Sequence, residues 1–453
     1  MAYISQNPWT AEISHCLPFS DNAALTQQLQ LSQKNFPRWQ QFSFAERGEV
    51  LTQLSVLLLK HKDTLKKLMH NEMGKLLAEA EAEIVKSAQA CAYYAKASEQ
   101  LLATEKLSSD YTRSELRYEP IGTVLGVMPW NFPLWQIIRF IAPTMMAGNC
   151  VLLKPAENTA QTALYLAQLL DQAGCPSGVY QNLLMDNQQC AEVIANPIVK
   201  AVSLTGSELA GRSIARTAGQ SLKKCVLELG GSDAFIVLKD ADIQQAAKTA
   251  ALSRFSNAGQ TCIAAKRFIV LEEVVDAFIA ALKQEAQSFS CDSNDPEKSG
   301  MAVMAKASLK EKLQQQVNDS IHQGAEIIYR AEASEHPHSF PATILDHVAS
   351  GMPAYDEELF GPVASIIRVK SIEQAITVAN DTSFGLAASI WSQNTEQASI
   401  LANQLDCGSV FINSLVKSDI RLPFGGCKQS GFGRELSALG IREFCNIKTV
   451  VFA

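Results

Sequence analysis

Short hydrophobic runs alternate with stretches of helical periodicity along most of the chain after residue 120. The runs at 124–127 and 201–204 are continuous and apolar, as strands buried on both faces of a sheet are. The stretches 161–173 and 208–218 between such runs repeat apolar residues at helical spacing. This alternation predicts a parallel sheet with crossover helices. Further strands of this sheet are predicted at 150–153 and 225–227.

The same alternation resumes beyond residue 262 and predicts a second α/β domain. Three apolar runs predict its strands, at 268–271, 363–369 and 387–391. The stretch 274–286 predicts a helix between them, and the polar stretch 290–300 predicts a surface loop. Before residue 120, apolar residues in 44–102 recur at helical spacing, which predicts several amphipathic helices.

An uncharged stretch at 120–138 is close to the length that crosses a bilayer. Pro120, Pro129 and Pro133 would break a helix there repeatedly. We therefore expect a buried strand, a loop and a helix start in place of a membrane span.

The composition is that of a globular protein. With 453 residues, 47% of them hydrophobic and 19% charged, the chain is long enough for two or three domains. A net charge of −7 argues against nucleic acid or an anionic membrane as a main partner. The first nine residues lack the basic start and apolar core of a secretory signal, so we expect a cytoplasmic protein.

The cysteine pattern excludes two common structural roles. Eleven cysteines occur, an odd number, without any Cys-x-x-Cys pair or neighbouring histidine-rich stretch. Neither a disulfide framework nor a zinc site is indicated, and we expect no metal and a reducing compartment.

One cysteine stands in a setting that suits chemistry. Cys262 ends the segment 255–262, Phe-Ser-Asn-Ala-Gly-Gln-Thr-Cys, and lies 34 positions after Glu228, which starts Glu-Leu-Gly-Gly. Glycine lets the backbone approach a ligand closely, so a thiol and a carboxyl beside such turns can serve as nucleophile and base. The alternative for an arbitrary cysteine is a small buried hydrophobe.

A standard dinucleotide-binding turn is absent from the expected position. No Gly-x-Gly-x-x-Gly follows the first strand, but the segment 204–211, Leu-Thr-Gly-Ser-Glu-Leu-Ala-Gly, follows a later one. Its backbone N–H groups at a helix start could bind a pyrophosphate. An ordinary turn from strand to helix is the alternative.

Five motifs in order carry a resemblance to a known family. They are 129–133 (Pro-Trp-Asn-Phe-Pro), 154–157 (Lys-Pro-Ala-Glu), 228–231, 255–262 and 358–362 (Glu-Leu-Phe-Gly-Pro). Together they resemble the aldehyde dehydrogenase superfamily, and the similarity extends from about residue 30 to the C-terminus. Within it, the chain most resembles the succinate-semialdehyde dehydrogenases, in particular a short bacterial subgroup.

The resemblance implies an α/β fold of two Rossmann-like parallel-sheet domains with a small β oligomerisation arm. The NAD-binding domain would comprise residues 1–107 and 126–231, and the catalytic domain residues 232–425. The oligomerisation strands would lie in 108–125 and 426–453, in a homodimer or homotetramer.

The resemblance also implies the chemistry of three catalytic residues. Cys262 would attack an aldehyde, a hydride would pass to the nicotinamide, and water activated by Glu228 would hydrolyse the resulting thioester. Asn131 would stabilise the substrate oxyanion beside the backbone N–H of Cys262. Read without the family, Asn131 is equally a turn residue that precedes a helix.

Nine residues match the family's cofactor contacts: Trp130, Lys154, Glu157, Thr205, Gly206, Ser207, Gly211, Glu358 and Phe360. A carboxylate at Glu157 would accept hydrogen bonds from a ribose 2′-hydroxyl and repel a 2′-phosphate, so we predict that NAD is preferred and NADP is possible. The alternative for Lys154 and Glu157 is a surface ion pair.

Two residues match the carboxylate-binding side chains of succinate-semialdehyde dehydrogenases. They are Arg139 and Ser418, and they favour succinate semialdehyde, oxidised to succinate, as the small-molecule substrate. Many of those enzymes carry a second arginine where this chain has Ser256, with Arg254 two positions earlier. Arg139 could instead form a salt bridge on a helix surface.

Four other functions remain open from the sequence. They are a broad-specificity aliphatic aldehyde dehydrogenase, a CoA-acylating relative, a non-catalytic structural relative and a cysteine hydrolase. Glu228 argues against the acylating relative, because a base that activates water would waste the thioester. A hydrolase would need a histidine near the thiol, yet none occurs between His70 and His322.

Overall fold

Helices fill most of the first hundred residues, as the apolar spacing in 44–102 predicted. The computed structural model describes residues 2–291, 300–332 and 334–453, so most of the predicted loop at 290–300 lies outside the described residues. The first elements are β1 (Ala2–Gln6), β2 (Ile13–Pro18), α1 (Asn22–Trp39), α2 (Phe44–Lys60), α3 (Lys62–Met73), α4 (Leu77–Leu101), β3 (Glu105–Leu107) and β4 (Arg113–Pro120). Helix α2 shows why the chain turns helical here, since Ser43 and Glu46 cap its first turn reciprocally.

The first large sheet follows, with helices as crossovers. Its elements are β5 (Thr123–Val127), α5 (Trp135–Met146), β6 (Cys150–Lys154), α6 (Ala160–Gln172), β7 (Tyr180–Asn182), α7 (Asn187–Ala195), β8 (Val199–Thr205), α8 (Glu208–Gln220) and β9 (Lys224–Glu228). The five strands are parallel in the order β9-β8-β5-β6-β7. The uncharged stretch 120–138 forms β5 and the start of α5, as predicted.

A second large sheet occupies the region after β9. Its elements are β10 (Asp233–Val237), α9 (Ile243–Phe255), β11 (Ala265–Leu271), α10 (Val275–Ala286), α11 (Ala307–His322), β12 (Glu326–Arg330), β13 (Thr343–Asp346), α12 (Pro353–Asp356), β14 (Val363–Val369), α13 (Ile372–Asn380), β15 (Ala387–Trp391), α14 (Thr395–Ala402) and β16 (Ser409–Ile412). The order is β12-β13-β14-β11-β10-β15-β16, and only β12 runs antiparallel to its neighbour. The two-domain α/β prediction is confirmed.

The C-terminal segment divides between two sheets. It contains β17 (Gly431–Phe432), α15 (Ser437–Arg442) and β18 (Cys445–Phe452). Strand β18 pairs with β4 in a three-stranded sheet completed by β3, whereas β17 extends the first large sheet beside β9. The first sheet begins at Thr123, three residues before the boundary expected at 126. Strands β4 and β18, which lie in the two stretches expected to hold the oligomerisation strands, pair with each other within this chain.

The two large sheets position the site between them. Parallel strands end together, so β5, β8 and β9 deliver their following turns to one edge. The segment between α9 and β11 carries Cys262 to the same place. Within the part of the chain that the structure describes, no helix is both long and apolar enough to span a membrane.

Candidate active site

Two cavities meet at Cys262. The larger, of about 600 Å³, is lined by turns at the ends of the first sheet and by the 356–360 segment. The smaller, of about 330 Å³, is lined chiefly by α4, α5, the end of α9 with the stretch 256–264, and the segment 415–424. Cys262 is half-buried and contributes to both walls. One thiol can therefore face a ligand in each cavity.

The turn before Cys262 is held in an uncommon backbone conformation. Asn257, Ala258 and Gly259 have φ of 54°, 52° and 68°, a left-handed run that non-glycine residues rarely adopt. The Glu79 carboxylate accepts a hydrogen bond from the Asn257 N–H at 2.6 Å, and Arg254 donates to the Gly259 carbonyl at 2.5 Å. Glu79 lies on α4 and the fully buried Arg254 on α9, so the surrounding helices fix this turn.

The Cys262 thiol lies in a desolvated but positively charged setting. Burial raises its pKa to about 11, opposed by the charges of Arg139 and Lys266. Lys266 donates to the Cys262 carbonyl at 2.7 Å and forms an ion pair with Glu358 at 3.2 Å. The thiol is therefore protonated at neutral pH and must lose its proton before it attacks a carbonyl.

Asn131 is fastened to the nucleophile turn on both sides. Its Nδ2 donates to the Gln260 carbonyl at 3.0 Å, and the Asn257 side chain donates to the Asn131 carbonyl at 3.1 Å. One Nδ2 hydrogen of Asn131 remains for a ligand. Asn131 and Cys262 share the larger cavity's wall, so the structure brings these two predicted residues together.

A buried ion pair that sequence reasoning missed holds the segment after Asn131. One Glu83 oxygen accepts from the N–H groups of Leu134 and Trp135, each at 2.9 Å, at the start of α5. Glu83 also pairs with Lys75, whose ammonium lies 3.8 Å from the Phe132 ring centroid. The available signal was an acidic residue on the apolar face of α4.

Glu228 is buried at the end of β9. Its carboxylate oxygens have no hydrogen-bond partner among the described residues, and it lines neither cavity. Burial, with the neighbouring Glu435, raises its pKa well above the usual value, opposed by Arg139 and Arg434. A raised pKa suits a carboxylate that accepts a proton near neutrality.

Arg139 lines the smaller cavity and contacts a residue of the larger one. Its Nε lies 2.5 Å from a Glu435 oxygen, and its Nη2 donates to Thr205 Oγ1 at 3.2 Å. The guanidinium lies 4.7 Å from the Phe424 ring centroid. Arg139 lines the smaller cavity but already has a carboxylate partner, Glu435, which sequence reasoning missed.

Most of the predicted cofactor residues line the larger cavity. They are Trp130, Thr205, Gly206, Ser207, Glu358 and Phe360. Lys154 is buried 5.6 Å from the Tyr3 ring centroid, and Glu157 is exposed after β6. A side chain on Gly211 would overlap Leu229, so this glycine allows close packing of α8.

The larger cavity fits a nicotinamide dinucleotide. Ser207 caps α8, whose first-turn N–H groups and positive dipole end suit a diphosphate. Glu358 accepts from the Gly231 N–H at 3.0 Å and has capacity left for ribose hydroxyls. The rings of Trp130 and Phe360, 5.8 Å apart, supply apolar surface for a planar ring.

The smaller cavity combines apolar walls with a polar end. Phe132, Trp135 and Leu252 supply apolar surface, and the predicted substrate residues Arg139 and Ser418 both line it. Ser418 Oγ also accepts a hydrogen bond from a lysine of α4 at 2.6 Å, a contact that no local motif indicated.

Comparison with known proteins places the chain in a family. The model of the aldehyde dehydrogenase family matches residues 2–450. The chain is 41% identical to the succinate semialdehyde dehydrogenase, NAD(P)+, Sad of Escherichia coli, covering 99% of this chain and 97% of that protein. It is also 41% identical to the succinate-semialdehyde dehydrogenase, NADP(+), of Deinococcus radiodurans, covering 99% and 94%.

A solved structure agrees over the whole length. It is the succinic semialdehyde dehydrogenase of Streptococcus pyogenes in complex with NADP+. The two chains superpose with a TM-score of 0.96 at 38% identity, with 100% of each covered. The sequence match, the superposition and the cysteine between two cavities agree: this chain belongs to the aldehyde dehydrogenase family.

Proposed function

We propose that this chain oxidises succinate semialdehyde to succinate with a nicotinamide cofactor, through a thioester on Cys262. The observation that carries the proposal is the position of Cys262 between a cavity that fits a dinucleotide and a smaller one with a cationic end. The names of the relatives support both the reaction and the substrate.

The residues divide the chemistry among them. The Cys262 thiol gives its proton to solvent water, and the thiolate sulfur bonds to the aldehyde carbon as the carbonyl π bond breaks, which gives a thiohemiacetal oxyanion. The free Nδ2 hydrogen of Asn131 and the Cys262 N–H stabilise the oxyanion. A bound nicotinamide supplies the hydride acceptor that turns the thiohemiacetal into a thioester. Glu228 lines neither cavity, so its side chain has to rotate toward the thioester. It then accepts a proton from the water that hydrolyses the thioester and releases the acid.

The smaller cavity supports a substrate with a second carboxylate. Its apolar walls fit a short methylene chain, and Arg139 with Ser418 offers positive charge and a hydroxyl at the polar end. The test is steady-state kinetics with succinate semialdehyde and butanal, which have equal carbon chains. A higher kcat/KM for butanal would contradict the substrate, and product formation without any cofactor would contradict the reaction.

The exposed Glu157 supports a preference for NAD over NADP. A carboxylate there repels a 2′-phosphate, although the Deinococcus radiodurans relative is named for NADP(+). We expect kcat/KM to be roughly tenfold or more higher with NAD, and Glu157→Gln to narrow the ratio. Equal kcat/KM with both cofactors would overturn the preference.

The exposed strand β18 supports a homodimer or homotetramer. Ile447 is 56% and Val451 43% exposed on this edge strand, which leaves apolar surface for a second copy. The mass in solution, measured by light scattering, should be two or four times the 49.3 kDa of the chain.

We also propose the division into domains that the resemblance implies. The NAD-binding domain comprises 1–107 and 126–231, the catalytic domain 232–425, and the oligomerisation strands lie in 108–125 and 426–453.

A further inference from the structure

Lys86 on α4 extends into the smaller cavity. Its ammonium donates to Ser418 Oγ at 2.6 Å and lies 4.3 Å from the Trp135 ring centroid. The hydroxyl and the ring hold the charge at the cavity's polar end. The polar end of this cavity therefore offers a ligand the Lys86 ammonium as well as the Ser418 hydroxyl.

Lys86, which is half-buried, differs from the fully buried cations around the site. Lys75 is paired with Glu83, and Arg139 with Glu435. Among the described residues, no carboxylate lies within ion-pair distance of Lys86. Burial, with the charge of Arg139, lowers its pKa to about 8. A desolvated cation without a counter-ion is costly unless a ligand supplies the anion.

The cavity also has no cation where the resemblance to succinate-semialdehyde dehydrogenases implies a second arginine. That position is occupied here by Ser256, which lines the cavity. The nearby Arg254 does not substitute for it, because its guanidinium bonds the Gly259 and Ala265 carbonyls. Lys86 reaches the same cavity from a different helix.

We propose, resting on the function above, that Lys86 together with Ser418 binds the terminal carboxylate of the semialdehyde and replaces the missing arginine. Lys86 then selects substrates by their distal charge. Arg139, already paired with Glu435, adds to the positive potential of the wall. The aldehyde end points toward Cys262, which lines the same cavity.

The test compares Lys86→Met with the wild type on two aldehydes. Loss of a charged hydrogen-bond donor should lower kcat/KM for succinate semialdehyde roughly 10- to 100-fold, chiefly by raising KM. Butanal has no carboxylate, so its kcat/KM should change by less than about twofold. The inhibition constant of succinate should rise by the same factor as KM, and Lys86→Arg should recover part of the loss.

Lys96→Met is the matched control, since Lys96 is exposed on the same helix. It should leave both aldehydes unaffected. If Lys86→Met and Lys86→Gln lose both aldehydes equally, or neither, the role of Lys86 is overturned while the proposed function stands. A wild type that does not prefer succinate semialdehyde overturns the proposed function itself.

Discussion

The two cavities that meet at Cys262 are built in different ways. The larger is formed mostly by short contiguous stretches, such as 129–131, 205–209 and 356–358, with one side lined by spaced side chains of α11. The smaller includes the contiguous stretch 261–264 around Cys262, but the rest of its wall comes mostly from spaced side chains of α4, α5, α9 and the segment 415–424. The cofactor side is thus encoded locally and the substrate side by tertiary packing, so the two should respond differently to substitution.

The largest expected effect comes from the atom that the cavities share. Cys262→Ala should abolish oxidation of both aldehydes, a fall of roughly 10⁶-fold as for other deleted nucleophiles. Binding of NADH, measured by fluorescence, should stay within about twofold, because the other walls of the larger cavity are intact. Cys16→Ala, at an exposed position, is the control. If the Cys262→Ala variant still oxidised either aldehyde, Cys262 would not be the nucleophile for that substrate.

A smaller effect is expected at the oxyanion. Asn131→Ala should lower kcat roughly 10²- to 10³-fold through loss of one donor. The factor should be equal for succinate semialdehyde and butanal, since the reacting carbonyl is the same. Asn403→Ala, exposed at the end of α14, should have no effect. Unequal factors in steady-state assays would place Asn131 at the substrate's distal end instead.

The support of the nucleophile turn should matter to stability. Arg254→Met leaves the buried Gly259 carbonyl without its donor and should lower the free energy of unfolding by about 1–3 kcal/mol. Urea denaturation measures this, with the exposed Arg216→Met as control. Both aldehydes should lose turnover in parallel. Loss confined to succinate semialdehyde would mean that Arg254 contacts the carboxylate after all.

The smallest expected effect is a change with pH in the preference for succinate semialdehyde over butanal. The groups that face Lys86 are Glu83 on its own helix, Arg139 on α5, and Lys417 and Asp419 on the 415–424 segment. Below a pKa of about 8 Lys86 is protonated and can bind a carboxylate, and above it that attraction is lost. The kcat/KM ratio of succinate semialdehyde to butanal should therefore fall roughly tenfold between pH 7 and pH 9. A ratio that stays flat would remove Lys86 from substrate binding, whereas the thiol's own titration cancels in it.

The sequence predicted the locally encoded parts. Seven strands, β5, β6, β8 and β9 of the first large sheet and β11, β14 and β15 of the second, follow from short apolar runs. Helices α6, α8 and α10 follow from helical spacing, and the turn at 205–207 follows from its motif. Strands β7 and β12 carry no long apolar run, so the sequence did not predict them. They form because a neighbouring strand offers backbone groups to pair with.

Contacts between distant residues were beyond sequence reasoning. Lys86 and Ser418 are 332 positions apart, and Lys86 alone reads as a solvated helix lysine. The match of Arg139 to a carboxylate-binding residue was visible, whereas its pairing with Glu435 was not. Burial, and with it each pKa shift, depends on the packed whole.

The protonated sulfur of Cys262 has a practical consequence for handling the enzyme. Burial raises the pKa of this thiol to about 11, so the protonated form dominates at pH 7, and alkylating reagents and peroxide, which react with the thiolate, should attack it slowly. Brief iodoacetamide treatment should label the exposed Cys16 first and leave turnover nearly intact. The resting enzyme is then largely self-protected against oxidants.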